Sequence, residues 1–187
     1  MPEPRRLRDP RALNAIAHPV RMGIIELLTV EGPLTATELA DRLDETPANC
    51  SWHLRKLAEH DFIEEAPGGK GRQRPWQMRH VGMSWNEDDD ASAEERRAGQ
   101  ALGRMLLERW VDRFLAADER EEDPRWRESA KLTQGVAWLT ADELAELTRE
   151  LEEVAGKYRD RIQTGERPEG SRLCEIVTWG AAVEIQP

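Results

Sequence analysis

The sequence predicts a mostly α fold of the α+β class, and three observations carry that expectation. Apolar residues recur at helical spacing through most of the chain. Three capping boxes, Thr35/Glu38, Ser92/Glu95 and Thr140/Glu143, mark helix starts, and only a few short runs have strand character. With 187 residues, 39% of them apolar, the chain can bury a core as one large domain or two small ones.

The first helical stretch opens after Asp9 with Pro10 at a favourable first-turn position. It breaks at His18-Pro19, resumes an apolar stripe through Ile24, Leu27 and Leu28, and stops at Gly32-Pro33. A short helix then runs from the Thr35 capping box to about Leu43, with Leu39, Ala40 and Leu43 turned inward. After a tight turn through Asp44 and Glu45, Thr46 caps a third helix, Pro47 takes its first position, and His60-Asp61 ends it. A period of about 3.6 residues puts Cys50, Leu54, Leu57 and Ala58 on one face of this helix, with His53 at the edge. The other side collects Ala48, Asn49, Trp52, Arg55, Lys56 and Glu59, a mixture that core packing does not explain.

Residues 62–66 and 75–79 read as two short strands. The loop between them is glycine-rich and carries Lys70, Arg72 and Arg74 without an acid. Two helices joined by a short turn and followed by such a hairpin predict a winged helix-turn-helix domain over residues 1–82, whose second helix suits the major groove of DNA. Residues 83–91 form an acidic linker. Residues 92–187 are expected to form a C-terminal region for dimerisation and effector control. It opens with a long helix to about residue 122, carrying Leu102, Met105, Leu106, Trp110, Val111, Phe114 and Leu115. Pro124 begins a short charged segment, and residues 136–139 are a strand candidate. The last helix spaces Leu144, Leu147, Leu151, Val154 and Tyr158 at three and four, a narrow coiled-coil-like seam. Residues 173–179 read as a final strand that could pair with 136–139.

A formal net charge of −10 sits awkwardly with nucleic-acid binding, which draws affinity from phosphate neutralisation. Its distribution removes much of the conflict. Residues 1–80 hold twelve basic and twelve acidic side chains, whereas residues 81–187 hold fifteen against twenty-five. No apolar run has transmembrane length and the start lacks a secretory apolar stretch, so a cytoplasmic protein without membrane association is expected. Cys50 and Cys174 lie far apart in predicted apolar settings, and no disulfide is expected between them.

His18-Pro-Val-Arg21 followed by Ile24, Ile25 and Leu28, together with Ser51-Trp-His-Leu54 followed by Leu57, resembles the winged-helix repressors of the ArsR type over roughly residues 10–82. The C-terminal half is similar to that of larger regulators of this kind with an extension. The resemblance implies a transcriptional regulator whose DNA-facing positions fall on Thr46, Pro47, Ala48, Ser51 and Trp52. Three departures stand out. Asp61 replaces the usual glycine at the helix end and must accept a left-handed backbone, and Pro47 and Trp52 occupy positions where smaller polar side chains are common. The relatives' operator sequence therefore does not transfer.

From the residues themselves, Trp52 suits thymine methyls or a sugar edge, with packing on a partner or the wing as the alternative. Asn49 suits bidentate pairing with adenine, with plain solvent exposure as the alternative; Ser51 and Arg55, which flank the exposed face, suit phosphate, and Lys56 is a further DNA-contact candidate. Lys70, Arg72 and Arg74 suit phosphates or the minor groove. On the long helix, Leu102, Met105, Leu106, Trp110 and Phe114 are more large apolar residues than one buried stripe needs. They predict a homodimer with recognition helices about 34 Å apart on an inverted repeat of double-stranded DNA. Trp110, Trp126, Trp138 and Trp179 either line a hydrophobic effector site or pack as core. A small-molecule or protein effector stays open, and no cofactor is expected. The four histidines are His18, His53, His60 and His80; none lies in the C-terminal half, so no metal site is expected. No phosphate-binding glycine motif or nucleophile elbow is present, so an enzyme is not expected either. The expected function is a sequence-specific DNA-binding regulator, a repressor by promoter occupancy. The alternative is a winged-helix protein interaction module, which the overall acidity favours.

Overall fold

A computed structural model describes residues 5–69, 74–80, 82–85, 91–121 and 123–184. The chain divides into two compact units, Met1–Val111 and Asp112–Pro187.

In the first unit, β1 (Arg5–Arg6) precedes α1 (Pro10–Ile16), α2 (Pro19–Glu31), α3 (Ala36–Leu43) and α4 (Pro47–Glu59). Each helix begins where its side-chain chemistry allows. Asp9, His18, Thr35 and Thr46 accept a backbone N–H of the first turn, and proline occupies the first turn of α1, α2 and α4. The Thr35/Glu38 capping box is complete in both directions, and the Thr35 hydrogen bonds hold the Glu38 carboxyl below its ordinary pKa. Asp44 (φ 53°) and Asp61 (φ 60°) take left-handed backbone after α3 and α4, so Asp61 does the work expected of the missing glycine.

Strand β2 (Ile63–Glu65) pairs antiparallel with β3 (Trp76–Met78), Ile63 opposite Met78, within the two predicted strand segments. A second small sheet, not expected from the sequence, runs β1 parallel to β4 (Met83–Ser84). Arg6-Leu7-Arg8 is the alternation that signals it: Leu7 enters the core between two cations. Helix α5 (Ala93–Arg120) opens on the predicted box, with Ser92 N–H on Glu95 Oε2 at 2.6 Å and Glu95 N–H on Ser92 Oγ at 3.2 Å. Its Ala98, Leu102 and Leu106 join one apolar cluster with Leu13, Ile16, Ile24, Leu28, Leu39, Leu54, Leu57 and Phe62. Arg109 of α5 ties to Glu26 of α2 by a two-pronged ion pair, its Nε at 3.1 Å and Nη2 at 2.6 Å.

The second unit holds the end of α5, α6 (Pro124–Ser129), α7 (Ala141–Ala155), a 3₁₀ turn (Gly156–Tyr158) and α8 (Asp160–Thr164). The Thr140/Glu143 box forms as predicted. Two expectations fail in this unit. Residues 136–139 and 173–179 form no strand, because neither segment finds a hydrogen-bonding ladder among the described residues. Cys174 is exposed rather than set among apolar side chains. The α7 seam stays uncovered, with Leu147, Leu151, Val154 and Tyr158 all exposed.

Candidate nucleic-acid interface

The turn from α3 to α4 is built by three adjacent residues. Asp44 reverses the chain in left-handed conformation, Glu45 N–H closes the turn on Ala40 O at 3.0 Å, and Thr46 Oγ1 receives Asn49 N–H at 3.2 Å to start α4. Burial then fixes the rotation of α4 about its axis. Cys50, Leu54 and Leu57 are wholly buried and His53 nearly so, which presents the opposite side outward. Each fully buried leucine contributes about 1.5–3 kcal/mol of apolar transfer, more than surface side chains offer to any competing rotation.

Thr46, Pro47, Ala48, Trp52 and Arg55 are exposed on that outward side, and Asn49, Ser51 and Lys56 are half-buried beside them. Trp52 is 46% exposed, with its ring edge-on to His53 at 4.8 Å between centroids. The indole is therefore braced by one ring contact while nearly half of it stays open. Asn49 Nδ2 donates to Glu45 Oε2 at 2.8 Å, which holds the amide while leaving its oxygen and second hydrogen for a base edge. Ser51 Oγ donates to Pro47 O at 2.7 Å, so the hydroxyl hydrogen assigned to a phosphate is already used by the helix. Lys56 pairs with Glu59 at 2.8 Å, whereas Arg55 forms no hydrogen bond or ion pair among the described residues.

The wing is less uniformly basic than its loop sequence implied. Lys70 and Arg72 lie outside the described residues. Arg74 pairs with Glu65 at 2.7 Å, Arg79 pairs with Asp61, and Gln77 bonds Glu64 at 3.0 Å. The acids of β2 thus stand across from the cations that follow the loop, a cross-strand effect invisible in a one-dimensional charge count.

Behind α4 stand two weakly basic imidazoles. His18 Nδ1 accepts Val20 N–H at 3.2 Å, and the His18 and His53 rings stand 4.6 Å apart. Burial pushes both imidazole pKa values below the ordinary range, reinforced at His18 by Arg21 and at His53 by His18 and Arg21, against an opposing pull from Glu45. His53 Nδ1 and Arg21 Nε are buried without a hydrogen-bond partner among the described residues. Burial also raises the Cys50 pKa, which keeps a protonated thiol in the core. Cys50 and His53, three apart on α4, are thus both packed into the core.

Residues 16–66 match the family model of a helix-turn-helix domain. The matched span takes in α2, α3, α4 and β2, and so contains the outward face just described. No curated protein matches the chain. The helix-turn-helix domain therefore stands on both the matched sequence and the observed turn geometry.

The residues expected at a dimer interface separate in the structure. Leu102 and Leu106 are buried in their own chain, so these two are corrected to intrachain packing, while Met105 and Trp110 pack half-buried against the same core. Phe114 is exposed. It shares a second stripe with Leu107, Val111 and Leu115, at the spacing of a single helix face and also exposed. Counting large residues along α5 could not tell the two stripes apart; only the position of the helical core does. The four tryptophans named for an effector site have different surroundings. Trp110 packs on the first unit's core, Arg172 lies over the Trp126 ring at 4.8 Å, and Trp138 and Trp179 are exposed. No helix among the described residues is long and apolar enough to cross a membrane.

Proposed function

We propose that this chain is a cytoplasmic, sequence-specific DNA-binding transcriptional regulator of the ArsR type, without catalytic activity, which represses by occupying an inverted-repeat operator as a homodimer. The observation that carries the reading is the outward face of α4, where Pro47, Ala48, Trp52 and Arg55 are exposed on a helix whose other side is locked into the core. An exposed indole beside an uncommitted guanidinium and an oriented amide offers apolar, ionic and hydrogen-bonding contact to one groove. The charge division supports it as well, since the acidic excess falls outside residues 1–80.

Homodimerisation draws its support from the exposed stripe Leu107, Val111, Phe114 and Leu115 on α5, an apolar row that a lone chain leaves in water. The exposed α7 seam adds to this need. The cation pairing at Arg74–Glu65 favours a second reading, a winged helix that binds another protein and no particular DNA sequence.

Selection of bound duplexes from a random pool, followed by titration of the recovered and random sequences at two salt concentrations, decides between them. Recovery of an inverted repeat with half-site centres about 34 Å apart, bound more tightly than random duplex and more weakly at high salt, supports the regulator. A pool that yields no consensus, with binding absent or insensitive to salt, supports the protein-binding module.

A further inference from the structure

The N-terminal segment reaches the end of the recognition helix. Strand β1 is held to β4 by Arg5 N–H on Gly82 O at 3.1 Å and Leu7 N–H on Ser84 O at 2.8 Å, and Leu7 anchors it in the core. From that fixed backbone Arg5 Nη1 donates to His60 O at 2.7 Å, and the guanidinium lies over the Phe62 ring at 4.7 Å. His60 is the C-cap of α4, and Phe62 is a buried anchor immediately after the left-handed Asp61.

We propose that Arg5 is a positioning residue of the DNA reader, whose guanidinium clamps the carboxyl end of α4 to the β1–β4 sheet and so sets the angle at which Trp52 and Arg55 are presented. The proposal rests on the reading of α4 as the DNA-contacting helix. Three physical features make the clamp suitable. A cation at a helix C-terminus meets the negative end of the helix dipole and an otherwise unsatisfied carbonyl. The planar group bonds the carbonyl at its edge while its face rests on Phe62, which a lysine ammonium cannot reproduce in full. The contact joins residues 55 positions apart, so it constrains tertiary placement of α4 rather than helix formation. It does so from the sheet that contains Met83–Ser84, directly before the linker toward α5.

The test compares the full-length wild type with Arg5→Ala and Arg5→Lys. The probes are a duplex selected by the wild type and a random duplex of equal length, at a temperature where all three proteins are folded. Amide hydrogen exchange of the DNA-free proteins is measured in parallel. Arg5→Ala should weaken selected-duplex binding by about three- to tenfold, leave random-duplex binding and the salt slope unchanged, and speed exchange at the amides of residues 60–62; Arg5→Lys should fall between. A salt slope reduced by about one, with exchange unaltered, means that Arg5 touches phosphate itself and overturns the clamp. Unchanged affinity and exchange also overturn it. If the wild type selects no duplex, the DNA reading fails together with the proposal, whereas a wild type that selects an operator with an indifferent Arg5→Ala variant defeats the proposal alone.

Discussion

Replacing Leu102 by alanine separates core packing on helix α5 from the association proposed for its exposed stripe. Leu102 is 0% exposed and belongs to the cluster that contains Ile24, Leu54 and Phe62, although it lies about forty residues beyond the α4 helix in sequence. The substitution removes three apolar carbons. At about 0.8 kcal/mol for each buried methylene, the transfer loss is about 2.4 kcal/mol, and incomplete collapse of the cavity raises the expected cost to about 2.7–5 kcal/mol. Leu115, 54% exposed on the same helix, serves as the control, and its replacement should change folding stability by no more than about 0.5 kcal/mol. Urea unfolding followed by tryptophan fluorescence over about a tenfold range of protein concentration reads both effects, since loss of core and loss of association respond differently to concentration. Leu102→Ala should lower the midpoint at every concentration, and sedimentation should show folded chains that still associate. Leu115→Ala should dissociate the proposed dimer while leaving the concentration-independent stability intact. If Leu102→Ala instead keeps its unfolding midpoint and falls apart into monomers, the assignment of that residue to the chain's own core is wrong.

Acid should weaken the first unit through His18 and His53. Both are held below their ordinary pKa in the fold, so the unfolded chain takes up protons first as pH falls past about 6.5, and stability declines from there toward the lowered folded values while staying level above that range. Urea midpoints between about pH 5 and pH 8 should show the slope, and a His53→Gln variant with an undiminished slope would remove His53 as a cause. Thr46→Ala deletes the acceptor for Asn49 N–H and should cost about 1 kcal/mol in unfolding, with Thr46→Ser restoring most of it; equal stability of all three proteins rules out the cap as a contributor. Trp52→Ala should leave the unfolding midpoint within about 0.5 kcal/mol and weaken a selected duplex by about tenfold, because the indole is largely open. Equal affinity of the variant and the wild type, measured by fluorescence anisotropy, would exclude Trp52 as a base contact.

The helix starts of this protein are local chemistry and were legible as such. Thr35 with Glu38, Ser92 with Glu95 and Thr140 with Glu143 satisfy first-turn donors wherever the segment sits, so residue types at fixed spacing suffice to locate them. The rotation of α4 was legible for a related reason: Cys50, Leu54 and Leu57 fall on one side of any helix of ordinary period, and an apolar side turns inward. Strand formation was not. Residues 173–179 have β-forming side chains, yet a strand exists only where a second backbone supplies its ladder, and composition does not say whether one arrives. Conversely, two residues, Arg5 and Arg6, form a strand because Met83 and Ser84 are there to receive it.

The same division holds at the candidate site. That α4 turns Ala48, Trp52, Arg55 and Glu59 outward was determined by the sequence alone, because periodicity acts within one segment, whereas Asn49 and Lys56 of the same expected face are half-buried. Only the tertiary structure decided that Arg74 meets Glu65, that Leu102 and Leu106 fill the chain's own core, and that Arg5 reaches the carbonyl of His60. Each of these joins residues brought together from different parts of the chain by packing. Such encounters depend on where every other element has gone, which no single stretch of sequence encodes.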